Sequence, residues 1–80
     1  MPYIIQEQRD RIAKDGEPRN AGELNYALTM VIKGYMLRNG LCYQTINDIV
    51  GSLICCKDEF QRRVTNSYED EKIRSNGDVY

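Results

Sequence analysis

Apolar residues recur at helical spacing through two long stretches of the chain. In the first, Leu24, Leu28, Val31 and Tyr35 are separated by three or four positions, and Ala27 and Ile32 widen the stripe. In the second, Ile46, Ile49, Val50, Leu53, Cys56 or Lys57, Phe60 and Val64 keep the same period, with Ile54 and Cys55 beside them. No stretch shows the strict alternation of a half-buried strand, so the pattern predicts an all-α protein.

Start and stop signals divide the pattern into elements. Residues 1–5 read as a short extended arm, because Pro2 lacks a backbone donor and restricts its predecessor. Residues 6–14 are good helix formers with one inward candidate, Ile12, and predict a short, exposed first helix. Gly16 and Pro18 then punctuate the chain. Asn20 followed three positions later by Glu23 fits a capping box. The helix it opens runs for about 19 residues, roughly 28 Å, with Arg38 in its last turn and Asn39-Gly40 as its stop. Leu41-Cys42 is a very short connection, which favours an antiparallel hairpin. The third helix begins near Tyr43 and is expected to end at Thr65, where Thr65-Asn66-Ser67 breaks the pattern. A short last helix over 68–75, capped by Ser67, precedes the turn at Asn76-Gly77.

The expected architecture is therefore one helical domain. Residues 1–19 form an arm and short helix, 20–65 an antiparallel hairpin of two long helices, and 66–80 a C-terminal tail. Each long stripe is wider than one neighbouring helix can cover. Eighty residues bury only roughly 60–65% of their unfolded surface, so the core is small. Both arguments point to a homodimer in a four-helix arrangement. The competing arrangement is a monomer in which the arm and tail cover the stripes.

Composition narrows the chemistry. The chain has 41% hydrophobic and 29% charged residues and a net charge of −1, which is ordinary for a soluble globular domain. It has no histidine, which removes the usual general base and the commonest metal ligand. Three cysteines without histidine do not make a closed zinc site, and the neighbours Cys55 and Cys56 point about 100° apart on a helix. No secretory signal opens the chain, so reduced thiols in a cytoplasmic setting are expected. Cys55 and Cys56, inside an apolar run, read as small core residues. No stretch approaches the ~20 apolar residues of a membrane span. The near-zero net charge argues against non-specific nucleic-acid binding. Neither an enzyme nor a cofactor-binding protein is expected.

Several strings resemble a small family of unknown function that occurs in tailed bacteriophages and bacteria. They are Met1-Pro2-Tyr3-Ile4 at the start, Ala21-Gly22-Glu23-Leu24-Asn25-Tyr26, Tyr68-Glu69-Asp70-Glu71-Lys72-Ile73, and Asn76-Gly77-Asp78-Val79-Tyr80 at the end. The likeness covers nearly the whole chain. It implies a phage or prophage origin and a protein made in the host cell cytoplasm during infection. It brings no catalytic residues. The loop from Asp15 to Arg19 departs from the pattern by being short, which bears on the first helix alone.

Four groups of residues are candidate sites. Glu69, Asp70 and Glu71, with Asp78 nearby, offer oxygen ligands to a hard cation, or form an acidic first turn that complements a helix dipole. Arg62 and Arg63, with Lys57, could grip phosphate, or pair with Asp58 and Glu59 along the helix. Cys42, near a helix start, is a weak candidate thiolate. Six tyrosines in 80 residues suit the rim of a small core or an interface; of these Tyr35 reads as core, and Tyr68 and Tyr80 as docked. Val79 and Tyr80 are too apolar for a solvated tail, and are expected to sit in a groove of the same chain or of a partner. The interaction surface is thus expected at Arg62, Arg63, Tyr68, Val79 and Tyr80. The function that follows is a non-enzymatic interaction module that pairs with itself and with a host or phage protein. An accessory protein on nucleic acid, using the local basic patch, is the alternative.

Overall fold

A computed structural model describes residues 4–80, so Met1 to Tyr3, the start of the expected arm, lie outside the described residues. All regular structure among the described residues is helical. Helix α1 spans Gln6–Asp15, α2 Ala21–Asn39, and α3 Tyr43–Phe60. A π-helical segment, Gln61–Thr65, follows α3 directly, and α4 continues it over Asn66–Asn76. The chain divides into two compact units, residues 1–45 and 46–80.

In the first unit the local signals act as expected. The Asn20 side chain accepts from the Glu23 backbone N–H at 2.9 Å and fixes the start of α2. Replacing Asn20 with alanine orphans that donor and is expected to lower stability by about 1 kcal/mol in thermal or urea denaturation. Gly16 closes α1 with φ 71°, and its N–H donates to the Ile12 carbonyl at 2.7 Å. Gly40 closes α2 at φ 83° and ψ 152°, a combination essentially reserved for glycine. Helix α1 packs against α2, and Ile4 and Ile12 are the buried apolar side chains among the described residues.

The second unit departs from expectation at Thr65-Asn66-Ser67. These residues do not break the helix. Phe60, Thr65 and Asn66 all hold right-handed helical dihedrals, so the backbone stays helical from 43 to 76. The irregularity is absorbed by π-type bonding instead: the Asn66 N–H reaches the Gln61 carbonyl, five residues back. Ser67 does not cap α4; its hydroxyl donates to the Arg63 carbonyl at 3.3 Å, within the continuing helix.

Candidate functional site

The densest polar network lies where α1 meets the start of α2. Glu23 is only 4% exposed. Its carboxylate accepts from the Arg11 guanidinium, from the Gln8 side-chain amide at 2.8 Å, and from the Arg19 backbone N–H at 3.0 Å. Arg11 also donates to the Glu17 carbonyl at 2.9 Å, and so ties down the loop between the helices. Gln8 uses its other end to accept from the Ile5 N–H at 3.1 Å, at the start of α1. Arg9 donates to the Ile4 carbonyl at 3.1 Å.

Local sequence accounts for this geometry. Gln8 and Arg11 are three apart, so they share a face of α1 and reach the same carboxylate. Asn20 starts α2 so that Glu23, one turn in, points back at α1. Sequence reasoning assigned Glu23 to the capping box. Half of that box forms, through Asn20, but the Glu23 side chain serves the clasp to α1 and the Arg19 N–H instead. No local pattern announces this, because Arg11 and Gln8 lie 12 and 15 positions away. The only hint is a polar pair at i, i+3 on the same turn as the inward-facing Ile12.

The Arg11 guanidinium holds the Glu23 carboxyl below the ordinary carboxylate value. Burial opposes this, while Gln8 and the Arg19 N–H act in the same sense as Arg11. A depressed folded value gives stability that is present above the unfolded value near pH 4.5. That stability is lost as pH falls through the folded value. The melting temperature is therefore expected to drop on acidification below about pH 4.5, and Glu23→Gln should remove Glu23's share of that drop. Melting curves from pH 7 to pH 3 on both proteins check it. The carboxylate is satisfied from several sides, and no buried side-chain polar atom among the described residues lacks a partner. The network is a clasp between α1 and the start of α2.

The sequence-predicted site residues all lie elsewhere. Arg62 and Arg63 both reach Glu59, at 3.5 and 2.6 Å, so their charges are engaged along their own helix. Tyr68 is exposed and lies under Lys72, whose Nζ is 5.4 Å from the ring centre. Val79 and Tyr80 are fully exposed, which corrects the expectation of a groove in their own chain. The Gly77 N–H donates to the Ile73 carbonyl at 2.8 Å, and within the tail the Tyr80 N–H donates to Asp78 at 2.9 Å. Cys55 and Cys56 are exposed as well, not core residues, because nothing within residues 46–80 covers that part of α3. Cys42 is exposed, its sulfur 3.4 Å from the hydroxyl of the buried Thr45. Among the described residues no group of three His, Cys, Asp or Glu side chains is placed to hold a metal ion. None of their helices is long and apolar enough to cross a membrane.

What the structure presents is apolar surface. Leu24, Leu28 and Val31 on α2 are exposed, as are Ile46, Val50, Leu53 and Phe60 on α3 and Val64 in the π segment. Tyr35 sits at the edge of exposure rather than in a core.

The described residues define a small all-helical protein with a buried carboxylate, Glu23, clasped between α1 and α2, and with apolar side chains exposed along its longer helices. The chain belongs to a family described as a domain of unknown function, DUF6899, which matches residues 1–79. No curated protein and no solved structure matches it.

Proposed function

We propose that the protein is a non-enzymatic helical interaction module that completes its core by pairing with a second copy. The observation that carries this is the disproportion between the apolar stripes and the buried core. Ile4 and Ile12 are buried, while side chains that recur at helical spacing along α2, α3 and the π segment stay open. Ordering a residue costs about 1–2 kcal/mol of backbone entropy, and long helices are held mostly by packing of their apolar faces. Contiguous apolar surface of this kind marks an interface.

In this reading the two long helices fold back as an antiparallel hairpin and two hairpins make a four-helix arrangement. Val79 and Tyr80 lie outside the paired stripes, available to a host or phage protein. A phage-type origin and a cytoplasmic setting fit the recurring strings at the two ends of the chain. The basic pair Arg62 and Arg63 supports nucleic-acid binding poorly, since the Glu59 carboxylate beside both offsets their positive charge.

Light scattering over a dilution series tests the pairing. A mass of twice 9.3 kDa, falling only at high dilution, is expected. A mass of 9.3 kDa at every concentration would overturn it.

A further inference from the structure

Two strips run side by side along the C-terminal helix. One is apolar: Phe60, Val64 and Tyr68, at successive steps of four, all more than half exposed. The other is charged: Glu59, Arg63, Ser67 and Glu71 at the same step, then Arg74 three further on. The structure ties the second strip together. Arg63 donates to Glu59 at 2.6 Å, and Ser67 donates to the Arg63 carbonyl at 3.3 Å. One step of four further on, Lys72 sets its Nζ 5.4 Å from the centre of the Tyr68 ring, so a cation ends the apolar strip. The π segment matters here. Its extra residue turns the helix back by about 100° relative to an uninterrupted α-helix. Phe60, Val64 and Tyr68 thereby keep one line across the irregularity.

Read from 59 to 74, the charged strip runs negative, positive, neutral, negative, positive. Read backwards, every sign is reversed about Ser67. A strip with that property is complementary to itself when two copies lie antiparallel, related by a two-fold axis near Ser67. Arg63 then faces Glu71 of the second copy, and Glu59 faces Arg74. Each pair occurs again by symmetry. On the neighbouring strip, Val64 of one copy comes within two residues, about 3 Å along the helix, of being level with Tyr68 of the other. Within the described residues Glu71 and Arg74 have no ion-pair partner of their own.

We infer that residues 59–74 form a two-fold antiparallel interface between two copies, with register set by Arg63–Glu71 and Glu59–Arg74 and the axis at Ser67. This rests on the self-pairing proposed above and adds its surface, direction and register.

The test is charge reversal followed by mixing. One variant carries Arg63→Glu with Arg74→Glu, making the strip wholly acidic. The other carries Glu59→Lys with Glu71→Lys, making it wholly basic. Each alone is expected to dimerise roughly tenfold or more weakly than wild type, through like charges facing across the axis. An equimolar mixture is expected to recover the dimer, as a heterodimer visible by native mass spectrometry. Reversal also creates like-charge neighbours within each helix, and circular dichroism follows that effect. Mixing cannot relieve it, so recovery on mixing reports contact between chains alone. If wild type is a dimer and both variants dimerise equally well, or if mixing recovers nothing, the register is overturned while self-pairing stands. If wild type is a monomer throughout, the pairing reading itself fails and takes this interface with it.

Discussion

Truncating Glu23 to alanine is expected to release α1 from α2 while leaving the helix over residues 46–76 intact. Three donors converge on this carboxylate: the Arg11 guanidinium, the Gln8 amide and the Arg19 N–H. Alanine leaves all three without their acceptor at a site that is nearly closed to solvent. Orphaned buried donors are costlier than the average worth of the bonds they made. What then remains to hold α1 is the burial of Ile4 and Ile12. Helix α1 has ten residues, below the length at which an isolated helix is stable in water. Its amides over residues 10–15 should lose protection from hydrogen exchange, and the melting temperature should fall by roughly 4–8 °C or more. Glutamine in place of Glu23 should give a smaller loss. It keeps an acceptor but turns an N–H₂ group toward donors on Arg11 or Gln8. Unchanged protection of α1 in the alanine variant would show that the network is dispensable.

That prediction rests on a contact the sequence did not disclose, and the reason is physical. Asn20, Gly16, Gly40 and Gly77 are local signals. Each acts on backbone groups within four residues, and each ends or starts a helix where the pattern says it should. The bounds of α2 follow from them alone. Glu23 was visible as a capping residue because that role is also local. Its partners on α1 depend on how two helices meet across a loop, and no periodicity carries that information.

The π segment was illegible for a different reason. Thr65, Asn66 and Ser67 are mediocre helix formers, so a propensity argument places a break there. The helix survives because the Asn66 N–H and the Ser67 hydroxyl find carbonyls within the same helix, and because Glu59 ties Arg62 and Arg63 to the turn before. Of the expected site residues, Arg62 and Arg63 occupy the ion pairs that their spacing allowed. Val79 and Tyr80 are exposed in the single chain, because hydropathy alone does not say whether an apolar tail meets a surface of its own chain or of a partner. The apolar stripes were legible as stripes. What covers them was not, since periodicity identifies a face to be buried without naming its partner.

Placing glutamate at both Val50 and Leu53 distinguishes these possibilities by a large effect. Both side chains are substantially exposed in the single chain, at 49% and 42%. Glutamate is a better helix former than valine and close to leucine, so α3 taken by itself should lose nothing and could gain slightly. For a protein that works as a lone chain, the double variant should therefore melt where wild type does. If the stripe is covered by a second copy, both positions become buried and appear twice in the assembly. Each change then removes about 1.5–3 kcal/mol of apolar burial and places a carboxylate where it has no partner. The expected result is a monomer by light scattering, with a melting temperature lower by roughly 10 °C or more. Lys57, one turn further along the same stripe, supplies the control. It is already charged and already exposed, with its Nζ 3.0 Å from Asp58. Lys57→Glu should change mass and melting far less than the Val50 and Leu53 pair, because a long charged side chain at that position already keeps its head in water. Equal effects of both variants would mean that charge anywhere on α3 disturbs the protein, and that the stripe itself is not the contact.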